Sequence, residues 1–67
     1  MEVSELFQNL KPSFYSFDVT SFMIKKVVNT SIPTLEYTAE FIRIYRKLKN
    51  EQIEFFETPE GNLQIIT

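Results

Sequence analysis

Apolar residues return at helical spacing from the start of the chain. Val3, Leu6, Phe7 and Leu10 stand at i, i+3, i+4 and i+7, which predicts an amphipathic helix over residues 2–10. Pro12 stops it, and Lys11, as the residue before a proline, is expected to be extended. Residues 13–17 hold Phe14, Tyr15 and Phe17 and read as a short extended link or edge strand. Asp18 can cap a second helix over residues 19–29, with Val19, Met23 and Val27 on one face and Ile24 and Val28 beside them. The β-branched content of that run makes a strand the competing reading, but apolar steps of three and four favour the helix.

Asn29, Thr30, Ser31 and Pro33 read as a turn into a third helix, capped by Ser31 or Thr34 and running to Lys49 or Asn50. Its buried stripe is predicted as Thr38, Phe41, Ile42, Tyr45 and Leu48, with Leu35 at the start. Glu36, Glu40, Arg43 and Lys47 then fall on the solvent side, acid before base. The last segment reads as a hairpin. Ile53 and Phe55 share a face with Leu63 and Ile65, and the run Thr58-Pro59-Glu60-Gly61-Asn62 carries the turn, with Gly61 available for positive φ. In this register Phe56 and Ile66 point away from the core. A lone hairpin is unstable in water, so this one must pack on helices. Three helices followed by a two-stranded wing predict an α+β fold: a three-helix winged-helix-like domain with a C-terminal β-hairpin wing, spanning 1–67. A three-helix bundle with a hairpin tail is the alternative.

Composition narrows the chemistry more than the fold. Sixty-seven residues make one small domain, in which folding buries only about 60% of the unfolded surface. Seven Phe and three Tyr supply much of the burial. The chain has no Cys and no His, which removes disulfides, thiol nucleophiles and the usual catalytic triads. A single glycine cannot build a phosphate-cradling loop. No apolar run approaches the ~20 residues of a membrane helix, and no signal-peptide pattern opens the chain. The expectation is therefore a non-enzymatic, non-secreted protein of the cytoplasm, nucleoid or nucleus, with no cofactor, metal, membrane or small-molecule substrate. Glu2 with Glu5 and Glu36 with Glu40 stand at helical spacing, but they read as solvated helix faces rather than acid–base pairs. The cluster Phe14-Tyr15-Ser16-Phe17 reads as a core lid, with an aromatic platform for single-stranded nucleic acid as the alternative.

Net charge is −2, yet Lys25, Lys26, Arg43, Arg46, Lys47 and Lys49 all fall between residues 25 and 49. Glu2, Glu5, Glu51, Glu54, Glu57 and Glu60 lie outside that window. Either the two sets neutralise one another, or the middle presents a basic face to an acidic partner. As a DNA reader, helix three would carry Glu36 and Glu40 into the groove, and no Asn or Gln stands on the exposed face of its first half.

Residues 24–66 resemble the C-terminal winged-helix domain of kleisins, the subunits that close SMC ATPase rings. Ile24-Lys25-Lys26-Val27-Val28, Glu36, the run Phe41-Ile42-Arg43-Ile44-Tyr45, Ile53-Glu54-Phe55 and Gly61-Asn62-Leu63-Gln64-Ile65 carry the likeness. Glu60 stands where the family has an aromatic, and Glu57 and Thr58 stand where it has a glutamine. The resemblance implies docking on an SMC ATPase head through the wing and helix three.

Two functions follow as expectations. The first is a protein-binding module, a small regulator or inhibitor, that uses Phe56, Ile66 and Tyr15 to hold another protein or a second copy. The alternative is a winged-helix DNA-binding transcriptional regulator that uses Lys25, Lys26, Arg43 and Lys47.

Overall fold

The computed structural model describes residues 2–27 and 34–66. Among them lie two helices and four strands in the order α1 (Val3–Leu10), β1 (Tyr15–Asp18), β2 (Met23–Lys26), α2 (Leu35–Asn50), β3 (Phe55–Glu57) and β4 (Leu63–Ile65). The strands form one antiparallel sheet in the order β1-β2-β4-β3. The winged-helix expectation is therefore corrected to a small α+β domain with two helices and a four-stranded antiparallel sheet. Each half of the chain is a helix followed by a hairpin, and the second strands of the two hairpins meet at the centre of the sheet.

The correction falls on residues 19–27. The segment expected to be the second helix makes a turn and then β2 instead, and Asp18 is the reason it misleads. A side-chain carboxylate that accepts amides two and three residues on serves a helix N-cap or an Asx turn equally well. Here Asp18 Oδ1 accepts Thr20 N–H at 2.9 Å and Ser21 N–H at 3.4 Å and closes the turn of a hairpin. Asp18 Oδ2 meets Lys25 Nζ at 3.0 Å. Phe22 completes the turn with φ 58°, a left-handed conformation costly for a bulky side chain. Its ring stacks edge-on against Phe17, with 5.4 Å between centroids, and its carbonyl accepts Ile65 N–H at 3.1 Å. Ile24, Val27 and Phe22 suit a pleated strand and its approach, as β-branched and aromatic residues do. The remaining expectations for this segment, at Val28, Asn29 and the turn through Ser31 and Pro33, lie outside the described residues.

The first helix forms as expected, with Val3, Leu6 and Phe7 buried. Lys11 is not extended: it takes φ 50°, ψ 55° and donates its N–H to Gln8 O at 3.1 Å, closing α1 in the left-handed conformation. α2 starts at Thr34, whose Oγ1 accepts Tyr37 N–H at 3.1 Å. It ends in a Schellman motif, with Ile53 N–H on Leu48 O and Gln52 N–H on Lys49 O. Gln52 supplies the left-handed residue there, with φ 59°.

Both helices lie on one face of the sheet. Leu6, Ile44 and Leu48 pack with Ile24 and Leu63, and all five are fully buried. α2 is rotated from its expected orientation by roughly 100°, one residue step. Tyr37, Glu40, Ile44 and Leu48 face inward, while Phe41 is half-buried and Ile42 is exposed. Tyr45 lies at the edge, its ring 5.1 Å from Phe55 and perpendicular to it.

The C-terminal hairpin has the expected register: Leu63 and Ile65 are buried, and Phe55 pairs with Ile65. Gly61 sits at φ 85° in its turn. A Cβ there would stand 2.6 Å from Lys26 Nζ, the flexible end of a long side chain, so backbone strain decides the cost of substitution. Gly61→Val should lose roughly 1 kcal/mol or more, read as a lower urea midpoint. An unchanged midpoint would contradict this turn geometry.

Candidate protein-binding surface

Both helices cover one face of the sheet, and among the described residues nothing packs over the other, the open face. Antiparallel pairing sets which side chains meet on it. Asp18 pairs with Met23, Met23 with Gln64, and Gln64 with Phe56, making one row across all four strands. Ile66 lies one residue past β4; its N–H bonds Glu54 O at 2.9 Å, which carries the ladder one pair beyond Phe55–Ile65 and by alternation sets Ile66 on the Gln64 face. Phe56 is 51% exposed and Ile66 46%. Met23 is half-buried between them and the polar end of the row.

Gln64 and the Asp18–Lys25 pair on this face are already bonded. Gln64 Nε2 donates to Ser21 O, Phe22 O and Ile65 O, each at 3.1 Å. Lys25 is held by Asp18. The Lys25 ammonium, followed by the Thr20 and Ser21 amides, holds the Asp18 carboxyl down at about 2. A depressed carboxyl stabilises the fold fully above its ordinary value of 3.8, and that support is lost as pH falls toward about 2. An NMR titration of Asp18 should therefore show a midpoint well below 3.8. A midpoint near the ordinary carboxylate value would contradict the ion pair and the turn.

Of the residues expected to bind protein, Phe56 and Ile66 stand together on the open face. Tyr15 does not join them. It is 4% exposed, its ring lies 5.3 Å from Tyr37, and its hydroxyl is pushed up by burial and then by its bond to Tyr37. Tyr15 and its neighbour Phe14, stacked 5.4 Å from Tyr37, are packing residues of the helix side.

The four expected DNA contacts are not on one surface. Lys25 points to the open face beside Asp18. Lys26 lies on the opposite face, with its ammonium 5.3 Å over the Tyr37 ring. Arg43 and Lys47 ride on α2, 3.9 Å from Glu40 and 3.7 Å from Glu51.

The sequence reading missed Glu40, which it placed in solvent. Glu40 is 9% exposed and reaches across to the link between α1 and β1. Both of its oxygens lie 2.9 Å from Ser13 N, and Oε1 also accepts Phe14 N–H at 2.7 Å. No local spacing signals this role: a glutamate between Tyr37 and Ile44 reads as solvent-facing until the link after Pro12 is brought against it.

Among the described residues no helix is long and apolar enough to cross a membrane. No family model, curated protein or solved structure matches this chain.

Proposed function

We propose that this chain is a non-catalytic protein-binding module that engages its partner through the open face of its sheet. The observation that carries the reading is the exposure of Phe56 and Ile66 together on a sheet face that neither helix covers. Apolar residues grouped on a surface mark interaction sites, and a solvent-exposed aromatic on a rigid strand is a ready anchor for a partner pocket. Satisfied polar neighbours add to this. With Gln64 and Lys25 already bonded within the sheet, a partner need not strip unpaired polar groups of water to reach Phe56. A duplex-binding surface would need Lys25, Lys26, Arg43 and Lys47 to act together, and they are divided among the two sheet faces and α2.

Phe56→Ser should leave urea stability within about 0.5 kcal/mol of wild type, because the ring is half in water. In an interface it should weaken binding by about 2 kcal/mol or more. A companion titration of the wild-type chain with random duplex DNA should give no binding at moderate salt. Unfolding of Phe56→Ser, or DNA binding with a steeply falling log K against log salt, would overturn the proposal.

A further inference from the structure

A second surface is built on the helix side, away from Phe56. Leu10 at the end of α1, with Ala39 and Ile42 of α2, floors a groove of about 300 Å³, and Arg43, Arg46 and Lys47 rim it. Ile42 is 43% exposed. Among the described residues no carboxylate lines the groove. The cations are only partly answered from outside it. Arg43 stands 3.9 Å from Glu40, whose oxygens already hold the amides of Ser13 and Phe14. Lys47 stands 3.7 Å from Glu51 beyond the helix end. Arg46 has no ion-pair partner among the described residues. A chain of net charge −2 thus gathers three cations around an apolar strip.

We propose that this groove docks an acidic amphipathic helix of a partner protein. Charge complementarity selects the acidic rim of that helix. The floor of Leu10, Ala39 and Ile42 selects its apolar anchors, in the helix-in-groove mode. From Ala39 to Lys47 the floor and rim run for about two and a half turns of α2, which accommodates anchors at i, i+4 and i+7. A nucleic-acid backbone would satisfy the cations but would leave Ile42 and Leu10 without an apolar partner. This surface is independent of the open sheet face, so one can fail without the other.

The test uses a labelled synthetic helical peptide of sixteen or so residues, with leucines at i, i+4 and i+7 flanked by glutamates, and the full chain. A permuted peptide of the same composition, with its leucines dispersed, is the control. Binding of the ordered peptide should shift the amide resonances of Ala39, Ile42 and Arg46, and the permuted peptide should bind at least tenfold more weakly. Arg46→Glu should weaken the ordered peptide at least tenfold and Ile42→Ser several-fold, both with otherwise unchanged amide spectra. Phe56→Ser should bind it as wild type does. Equal binding of both peptides, resonance shifts confined to other surfaces, displacement by duplex DNA, or no binding would overturn the proposal.

Discussion

Truncating Glu40 to alanine is expected to lower stability by roughly 2–4 kcal/mol. Among the described residues its side chain is the only acceptor for the amides of Ser13 and Phe14. Removing it strands both donors at a part-buried site, at up to about 1–3 kcal/mol each, of which water recovers a share at exposed Ser13. At about 0.05–0.15 kcal/mol per residue, 67 residues hold only about 3–10 kcal/mol in all. Glu40→Ala should therefore shift the urea midpoint far down and bring much of the population near unfolding. Glu40→Gln keeps one acceptor oxygen and should lose distinctly less. A Glu40→Ala midpoint close to wild type would show that the α1–β1 link is not fastened to α2 through this carboxylate.

Ile44→Ala and Ile42→Ala test the rotation of α2 against the stripe that the sequence suggested. The two substitutions make the same chemical change on one helix, so intrinsic helix propensity cancels between them. Ile44 is fully buried, and its truncation should lose roughly 2–5 kcal/mol through lost burial and the cavity left behind. Ile42 is 43% exposed and should lose less than about 1 kcal/mol. Urea unfolding of the pair reads this directly. A larger loss at Ile42 would place the helix in the orientation drawn from Phe41, Ile42 and Tyr45.

What was legible in the sequence was local. The stripe Val3, Leu6, Phe7 and Leu10 marked α1, Thr34 was one of two caps considered for α2, and Pro59 with Gly61 marked the last turn. Each signal uses residues close in the chain, and each is present as read. The first hairpin was hidden because its turn has neither glycine nor proline. Phe22 takes the left-handed position that usually advertises itself as Gly or Asn. Asp18 made the concealment worse, because its amide contacts are those of a helix cap.

The orientation of α2 was ambiguous for a related reason. Phe41, Ile42 and Tyr45 offer more apolar mass than Tyr37, Ile44 and Leu48, and a glutamate in the middle of the true stripe argued for solvent. Only the long-range contact to Ser13 and Phe14 makes a buried Glu40 favourable, and such a contact is not written in local spacing. The outward position of Phe56 and Ile66 was readable because strand alternation needs only the phase of Leu63 and Ile65. Tyr15 could not be placed the same way, since it needed the partners that α2 supplies.

If the open sheet face holds the partner, site-specific photo-crosslinking captures it there. A photoreactive phenylalanine analogue would be placed in turn at Phe56, at Ile66 and, as controls on other surfaces, at Val19 and Glu60, in the cell that makes the protein. One discrete protein adduct of the same size is expected from Phe56 and Ile66, and none of that size from Val19 or Glu60. No adduct at Phe56 and Ile66, with discrete adducts from the control positions or with nucleic acid, would contradict it.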